Sequence, residues 1–533
     1  MTIINIKKIL FLFFCLALAQ THSLFASEDT KQLPAIDLDF CQDQLESLPI
    51  LQNGRVKPLF VHAGETIKYL TGKNNFQQRS AVITYCQLSS SSLFLSTSAP
   101  EIRTPIEHNE IRTLLKSVLS PNNDVTYKDL FSSLALIRNS YMAQKDENAM
   151  KRSLNELLHK LSIYQSIVSG DDWKIPQWDE EQKLTWSSVK DAFSPLQLEK
   201  NSLISSAKIY AYLTNSQETY RKQFGDKHLL ELHYAKAKLP LIAIVLTCLA
   251  LLVLPLTKNI WIPLALATAT VLTQITLITL RIIISGRAPV TNMYETVLFS
   301  GLASLILALV IGHFKKEKSY LLIGLFYNFL TLLMLNFAHG MLSASIGPLV
   351  PVLRDNFWLS THVTSVIVSY GALALSWLMA NLTLIENRKN PLSRKALQER
   401  MEHIYSAIKV GVVLLAAGVI LGGVWADYSW GRFWGWDPKE TWSLIVLCVY
   451  MVILHGKNTS WIPPHRFVPL VAGAFLSVMM AWFGVNYILA TGLHSYGFSQ
   501  GGAIFLAGFF ALQIIILLVT APNLKGPGEN PQA

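Results

Sequence analysis

The sequence is poor in charge and in cysteine, and these shortages narrow the classes of protein it can belong to. Only 15% of the 533 residues are charged and 51% are hydrophobic, which agrees with a membrane protein that carries a large soluble part. The five cysteines form no Cys-x-x-Cys pair, so the chain has neither a thioredoxin-like redox motif nor a haem-attachment motif of its own. No phosphate-binding loop is present, so ATP-driven export is not supported.

The net charge of +10 could suggest a nucleic-acid partner, but its distribution favours a different explanation. Much of the Lys and Arg flanks long apolar runs, as it does in the cytoplasmic loops of membrane proteins. We therefore expect a lipid bilayer as a partner and no nucleic acid.

The N-terminus has the features of a signal peptide. Lys7 and Lys8 precede the apolar run 9–19, and Ala26 and Ser27 lie near a plausible cleavage point. We expect residues 1–26 to be the signal peptide; an uncleaved anchor helix is the alternative. In either case the segment that follows is exported.

Residues 27–238 are predicted to form a mostly helical exported soluble domain whose function the sequence does not reveal. Apolar residues recur at helical spacing over 130–164 and 196–224, whereas 81–85 and 92–96 are weak candidates for short strands. Cys41 and Cys86 are the only cysteines in this domain. An oxidising compartment permits a disulfide between them, although spacing alone cannot show proximity, and two unpaired thiols are the alternative.

The remainder of the chain is predicted to be an all-α polytopic membrane domain over 239–522, with a cytoplasmic tail at 523–533. Each of its apolar segments can approach the roughly 20 residues that span a bilayer. The Thr-rich segment 261–280 is the weakest of them. Nine such segments are centred near residues 248, 270, 303, 329, 373, 414, 448, 477 and 511.

The distribution of basic residues supports nine spans with the soluble domain outside. Threading the chain this way puts twelve basic residues inside and five outside, as the positive-inside rule requires. The inner residues are Lys258, Lys315, Lys316, Lys318, Arg388, Lys389, Arg394, Lys395, Arg400, Lys457, Arg466 and Lys525. The outer residues are Arg281, Arg287, Arg354, Arg432 and Lys439.

Residues 425–442, WADYSWGRFWGWDPKETW, are the most informative stretch, and we call them the Trp segment. Five of these eighteen residues are Trp, interleaved with glycines and with charges of both signs. A membrane-interface belt, the alternative, places Trp singly at helix ends. Flat aromatic residues with Gly for close backbone approach instead suggest a surface for a large planar ligand, on the outer side of the membrane.

The Trp segment resembles the WWD segment of the haem-handling proteins of cytochrome c biogenesis. The resemblance is closest to the CcsA/ResC branch, the membrane subunit of the system II cytochrome c synthase, and covers roughly residues 240–520. SGRAPVTNMYETVLF (285–299), PLVPVLRDNFWLSTHV (348–363) and GLHSYGF (492–498) resemble further pieces of that family in the right order. A less specific resemblance links 48–72 to the extended N-terminal regions of some large CcsA-type proteins.

Two histidines are predicted to ligate haem iron beside the Trp segment. His362 opens the fifth span at its outer end and His494 lies in the outer loop after the eighth, so both reach the same face of the membrane. The family resemblance implies the same role for both. His339 has no such match, and we expect it to be an ordinary satisfied polar residue.

The Trp segment supplies the other predicted haem contacts. Arg432 is the best candidate for the haem propionates, with Lys439 next, because each offers a cation to a carboxylate. Asp437 and Glu440 cannot pair with propionates directly, and we expect them to fix the loop by pairing with these cations or to cap the seventh span. The residues expected to bind the ligand are Trp430, Arg432, Trp434, Trp436 and Asp437.

His455 is too deep to share that site. It follows Trp436 by nineteen residues of mostly helical chain, so the two lie roughly 25 Å apart in depth. If His455 binds haem, it does so at a second, inner site. The resemblance implies that the partner ligand there comes from a CcsB/ResB-type membrane subunit.

The function implied by the resemblance is the delivery of haem b to the outer face of the bacterial inner membrane and its attachment to apocytochrome c. No residue is an evident general base, so this protein's contribution is expected to be positioning. Two alternatives stay open. One is a transporter or chaperone that hands haem to a separate lyase, as in the CcmF-type branch of the family. The other is a transporter of another planar ligand.

Overall fold

The computed structural model describes residues 40–76, 79–90, 100–145, 148–197, 206–338, 341–347, 355–489 and 502–524. The expected signal peptide and most of the expected tail fall outside these ranges. The chain divides into two compact units, and the boundary between them lies between Ala237 and Lys238.

The N-terminal unit is mostly helical and contains three separate two-stranded antiparallel sheets. The strands are β1 (Pro49–Gln52), β2 (Arg55–Pro58), β3 (Arg103–Pro105), β4 (Asp124–Thr126), β5 (Lys174–Trp178) and β6 (Leu184–Ser188). The helices are α1 (Leu59–Thr71), α2 (Ala81–Ser90), α3 (Asn109–Leu114), α4 (Tyr127–Ser132), α5 (Leu134–Ala143), α6 (Ala149–Val168), α7 (Val189–Gln197), α8 (Ser206–Phe224) and α9 (Lys227–Lys236).

The expectation of a strand at 81–85 is wrong, because these residues begin α2. All ten residues of α2 except Ile83 are buried, so the helix has no polar face to give a helical period. The other expected strand, 92–96, lies outside the described residues. The helical spacing over 130–164 and 196–224 corresponds to parts of α4 to α6 and of α7 and α8.

Cys41 and Cys86 form a disulfide in the core of this unit. Cys41 is 6% exposed and Cys86 is fully buried in α2, so the bond ties the start of the described chain to a central helix. Beside it, Asp172 accepts hydrogen bonds from the Tyr85 hydroxyl at 2.6 Å and from His62 Nε2 at 2.8 Å. Burial alone would raise the pKa of Asp172, but these two partners outweigh it and hold the pKa below its ordinary value.

The C-terminal unit confirms the prediction of an all-α polytopic membrane protein. Within the described residues, eight helices are long and apolar enough to cross a bilayer, or nine if α9 and α10 together count as one span. The helices are α10 (Leu239–Val253), α11 (Trp261–Ser285), α12 (Met293–Lys315), α13 (Ser319–Phe337), α14 (Asn356–Lys389), α15 (Arg394–Trp430), α16 (Pro438–Asn458), α17 (Pro464–Leu489) and α18 (Gly502–Thr520).

The weakest span is α10 and not the Thr-rich segment, contrary to expectation. The Thr-rich segment forms the 25-residue α11, in which the hydroxyls of Thr268, Thr273 and Thr276 donate to backbone carbonyls four residues earlier. Those bonds satisfy the hydroxyls inside a helix that faces an apolar environment. By contrast, α10 has only 15 residues, short of the roughly 20 that a bilayer needs.

Arg281 was also assigned wrongly, to an outer loop. It lies within α11, fully buried, where it pairs with Glu295 at 2.6 Å. A charge that is buried and paired is not part of the loop charge balance, so the asymmetry between inner and outer loops becomes larger without it.

Two of the membrane helices depart from α-helical geometry near the expected ligand region. Residues Leu359–Val363 of α14 and Met480–Leu489 of α17 are π-helical. Such widened turns are uncommon and occur frequently at functional sites, because they reorient individual side chains.

Candidate functional site

The helix ends around the Trp segment border a cavity that is partly open to solvent and holds about 1120 Å³ of space, part of it solvent outside the protein. Its walls come from the start of α12, the start of α14, the end of α15, the start of α16 and the π-helical part of α17. Its side chains are mostly apolar or aromatic, and the polar and aromatic ones are Thr291, Asn292, Thr296, His362, Tyr370, Trp425, Trp434, Lys439, Glu440, Ser443, Trp482 and Asn486.

His362 lies in the wall of this cavity with its ring orientation fixed. Its Nδ1 donates a hydrogen bond to the carbonyl oxygen of Gly418 at 2.8 Å, because a carbonyl can only accept. That bond selects the tautomer whose lone pair is on Nε2, as second-shell partners do for metal-ligating histidines. The ring also meets Trp425 edge-on at a centroid distance of 5.8 Å.

The Trp segment comprises the end of α15, a short connection over 431–437 and the start of α16. Gly431 ends α15 in the left-handed conformation, with φ +67°, and its N–H bonds the carbonyl of Asp427. Asp437 begins α16 as its N-cap and accepts from the N–H groups of Lys439 and Glu440 at 2.8 and 2.9 Å. Asp437 therefore has a structural partner on the helix it caps, which contributes about 1 kcal/mol in typical proteins.

Only one of the three predicted tryptophans lines the described cavity wall. Trp434 does so, and its indole Nε1 is buried without a hydrogen-bond partner among the described residues. Trp436 meets Trp434 edge-on at 5.9 Å but is 70% exposed, at a φ of +57° that non-glycine residues rarely adopt. Trp430, the last residue of α15, lies under the guanidinium of Arg432 at 5.8 Å.

Arg432 is directed to other protein groups and is not among the residues of the described cavity wall. Its guanidinium pairs with Glu440 at 3.5 Å as well as covering Trp430. It passes so close to the backbone of Gly435 that a Cβ there would overlap it. Glu440 in turn accepts from the N–H of Gly435 at 2.7 Å, so these residues together hold the loop closed.

Lys439 is the basic residue that does line the cavity. Its Nζ donates to Oδ1 of Asn486 at 2.9 Å, and Nδ2 of Asn486 lies 2.9 Å from the sulfur of Met293. This chain of contacts joins α16, α17 and α12 across the cavity. A half-buried ammonium with a neutral amide as its hydrogen-bond acceptor is suited to receive an anionic group.

Trp482 and Asn486 belong to this site although they were not predicted. They lie four residues apart on α17, and Trp482 Nε1 donates to the Thr296 hydroxyl of α12 at 3.2 Å. A polar side chain one turn from a Trp within an apolar run was the available signal, but it is also common in ordinary helix packing.

Of the predicted histidines, only His362 is among the described residues that line this cavity. His494 and His339 lie outside the described ranges. His455 is exposed near the far end of α16, where its Nδ1 donates to the carbonyl of Met451 at 2.8 Å. Ile445, Cys448, Met451 and Val452 are exposed on the same helix, so His455 lies on an outward-facing surface.

This fold and site define a class: a polytopic helical membrane protein with a partly aromatic cavity lined by an oriented imidazole and a cation. The model of the family "Cytochrome C assembly protein" matches residues 290–494, which include every wall of the cavity. The chain therefore shares with that family the part that carries the site.

Individual relatives extend this match. CcsA of Gloeobacter violaceus is 32% identical over 296 residues, covering 44% of this chain and 86% of the relative. CcsA of Guillardia theta is 34% identical over 243 residues, covering 41% and 79%. Protein NrfI of Wolinella succinogenes is 38% identical over 228 residues, but these are only 24% of NrfI.

The chain belongs to the CcsA family of cytochrome c biogenesis proteins, as the expected resemblance implied. Its role is therefore in cytochrome c biogenesis, and membership of this family implies haem handling.

Proposed function

We propose that the cavity is an outer haem site in which His362 binds the iron of haem b through Nε2. The observation that carries this is the bond from His362 Nδ1 to Gly418, which directs the lone pair to Nε2 of a histidine in the cavity wall. Apolar and aromatic walls, including Trp425, Trp434 and Trp482, suit the faces of a porphyrin. His494 remains our proposal for a second residue that would hold the haem iron, on sequence grounds alone.

Lys439 is the proposed partner for a haem carboxylate, in place of Arg432. Arg432 is engaged by Glu440 and Trp430, whereas Lys439 lines the cavity and is oriented by Asn486. The unpartnered indole N–H of Trp434 is a second donor in the same wall. A cation and a neutral donor together match the two oxygens of a carboxylate.

The outer face of this site is proposed to be periplasmic, in a bacterial inner membrane. The asymmetry of Lys and Arg supports this orientation, and the signal-like N-terminus with its exported domain agrees with it. There, the thiols of apocytochrome c would add across the haem vinyl groups, forming a C–S and a C–H bond without oxidation. The protein would hold the haem in place for that addition.

His455 is proposed to belong to an inner haem site shared with a CcsB-type subunit. An imidazole on an exposed face of a membrane helix is unfavourable in lipid and is usually covered by protein. At about 1.5 Å per residue, the helix from Pro438 to His455 separates the two sites by roughly 25 Å. Haem would move outward from the inner site to the cavity.

The test is an absorption spectrum of the full-length protein purified from membranes of a haem-sufficient host. We expect a Soret band with a low-spin component, which His362→Ala reduces and added imidazole partly restores. His465→Ala, at the other end of the membrane unit, is the matched control and should leave the spectrum unchanged. A protein without a Soret band would instead favour transport of another planar ligand.

A further inference from the structure

Among the described residues of the C-terminal unit, the most deeply buried charges lie next to the cavity and have no role in the function proposed so far. Arg281 in α11 and Glu295 in α12 are 0% and 2% exposed, and both Nε and Nη2 of Arg281 donate to Oε1 of Glu295, at 3.1 and 2.6 Å. A buried ion pair is weak evidence for a stabilising role, because desolvation opposes the attraction. The other hydrogen bonds of Arg281 and Glu295 indicate the role of the pair.

Each partner of the pair holds a different backbone segment. The second oxygen of Glu295 accepts from the backbone N–H and the hydroxyl of Thr291, at 2.8 and 2.7 Å. Nη1 of Arg281 donates to the carbonyl of Ala344 at 2.9 Å. The pair therefore ties the end of α11 and the 341–347 segment to the turn that begins α12.

That turn is a wall of the cavity. Thr291, Asn292 and Met293 all line it, and Asn292 caps α12 by accepting from the N–H of Glu295 at 2.9 Å. Met293 contacts Asn486, which in turn accepts a hydrogen bond from Lys439 on the opposite wall. The turn is thus linked, through Met293 and Asn486, to the cation on the opposite wall.

We propose that Arg281 and Glu295 are positioning residues which fix the Thr291–Met293 wall of the outer cavity and thereby the pose of the haem in it. This inference rests on the proposed haem site, and neither side chain is placed in contact with the ligand. Carboxylate and guanidinium are suited to the task because each has several fixed donor or acceptor directions.

The principal variant is the double replacement Arg281→Met with Glu295→Leu in the full-length protein. It removes both charges together, so no unpaired buried charge remains, and apolar replacements of such pairs are often tolerated. We expect near-normal amounts in the membrane, but hydrogen exchange at least tenfold faster in the 288–296 peptide. We also expect a lower fraction of low-spin haem in the absorption spectrum.

Gln513→Leu is the control, because Gln513 joins α18 to α14 through a buried amide pair with Asn381, away from the cavity. It should lower thermal stability without changing the 288–296 exchange or the haem spectrum. If the double variant does not accumulate, Glu295→Asp replaces it. That change keeps a carboxylate beside Arg281, but the shorter side chain cannot reach Thr291 as Glu295 does. It should therefore give the same faster exchange of the 288–296 peptide and the same lower fraction of low-spin haem as the double variant.

Unchanged exchange and an unchanged spectrum in an accumulating variant would overturn the proposal. The exchange measurement does not need haem. If the wild-type protein carried no haem, the proposed haem site would fail, whereas the exchange result would still decide whether the pair fixes this wall.

Discussion

The imidazole of His362 rests directly on Gly422, so closely that a Cβ at that position would lie 2.6 Å from its Cε1. Contacts this short do not occur for real side chains, and the ring is already tied to Gly418 one turn earlier. The absence of a side chain at Gly422 therefore makes room for the proposed iron ligand.

Gly422→Ala should displace the His362 ring and lower the fraction of low-spin haem at least severalfold. The reason is steric, since the ring cannot retreat without losing its bond to Gly418. Gly411→Ala is a matched control on the same helix, where a Cβ would meet Leu373 at 2.6 Å, away from the cavity wall. Spectra of both purified proteins make the comparison. Equal spectral loss in the two would mean that helix separation, and not the imidazole, is responsible.

Replacement of Trp434 and replacement of Trp436 should have very different effects on haem affinity. Trp434→Ala removes an aromatic wall and should weaken haem binding by about 2 kcal/mol, roughly thirtyfold in Kd. Trp436→Ala should have a much smaller effect, because Trp436 is 70% exposed and outside the described wall. Haem titration of the haem-depleted proteins measures both. A larger loss for Trp436 would mean that the ligand lies over the outside of the Trp segment.

Replacement of Lys439 and replacement of Arg432 should also differ in their effect on haem affinity. Lys439→Met should weaken haem binding by roughly tenfold to a hundredfold, the usual loss for a charged hydrogen bond of about 1.5–3 kcal/mol. Arg432→Met should disturb the loop but retain more of the affinity. A haem analogue with esterified propionates isolates the interaction, because it should bind the wild type and Lys439→Met equally. A persistent difference with the ester would exclude a carboxylate contact.

The sequence predicted the positions of the membrane helices well, because each is an apolar run long enough to recognise alone. It did not predict the strands β1 to β6, which have only three to five residues each and gain their stability from the surrounding core. Arg281 was misassigned because its partner Glu295 is brought to it only by the packing of two helices.

Within the candidate site, the sequence singled out a segment that contributes to the cavity wall, but it did not show which of its residues line the cavity. His362, Trp434 and Lys439 line the cavity, whereas Arg432 is not among its described lining residues, and haem binding by any of them stays a prediction. Arg432 and Lys439 are both cations in one Trp-rich stretch, so the sequence does not distinguish them. Lys439 lies in the first turn of α16, which Asp437 caps, and there it lines the cavity. Trp482 and Asn486 come from a different helix and had no distinguishing pattern.

The disulfide of the N-terminal unit should be structural. It closes a separation of 45 residues and is almost fully buried, so the double replacement Cys41→Ala with Cys86→Ala should destabilise this unit by about 2–4 kcal/mol. Hydrogen exchange of α2 peptides in the full-length protein measures the loss. Reducing agent applied to the folded wild type should leave exchange unchanged. Rapid reduction under native conditions would contradict a purely structural role.

His455 should control the filling of both haem sites if haem moves outward. His455→Ala would deplete the inner and the outer haem, whereas His362→Ala would deplete only the outer one, because the sites lie roughly 25 Å apart and fill in sequence. His313→Ala, near the end of α12, is a control for loss of a histidine from the membrane unit. Haem content per protein, measured with and without a co-expressed CcsB-type subunit, distinguishes the cases. A fully loaded outer site in His455→Ala would exclude the outward route and make delivery from the external side the better explanation.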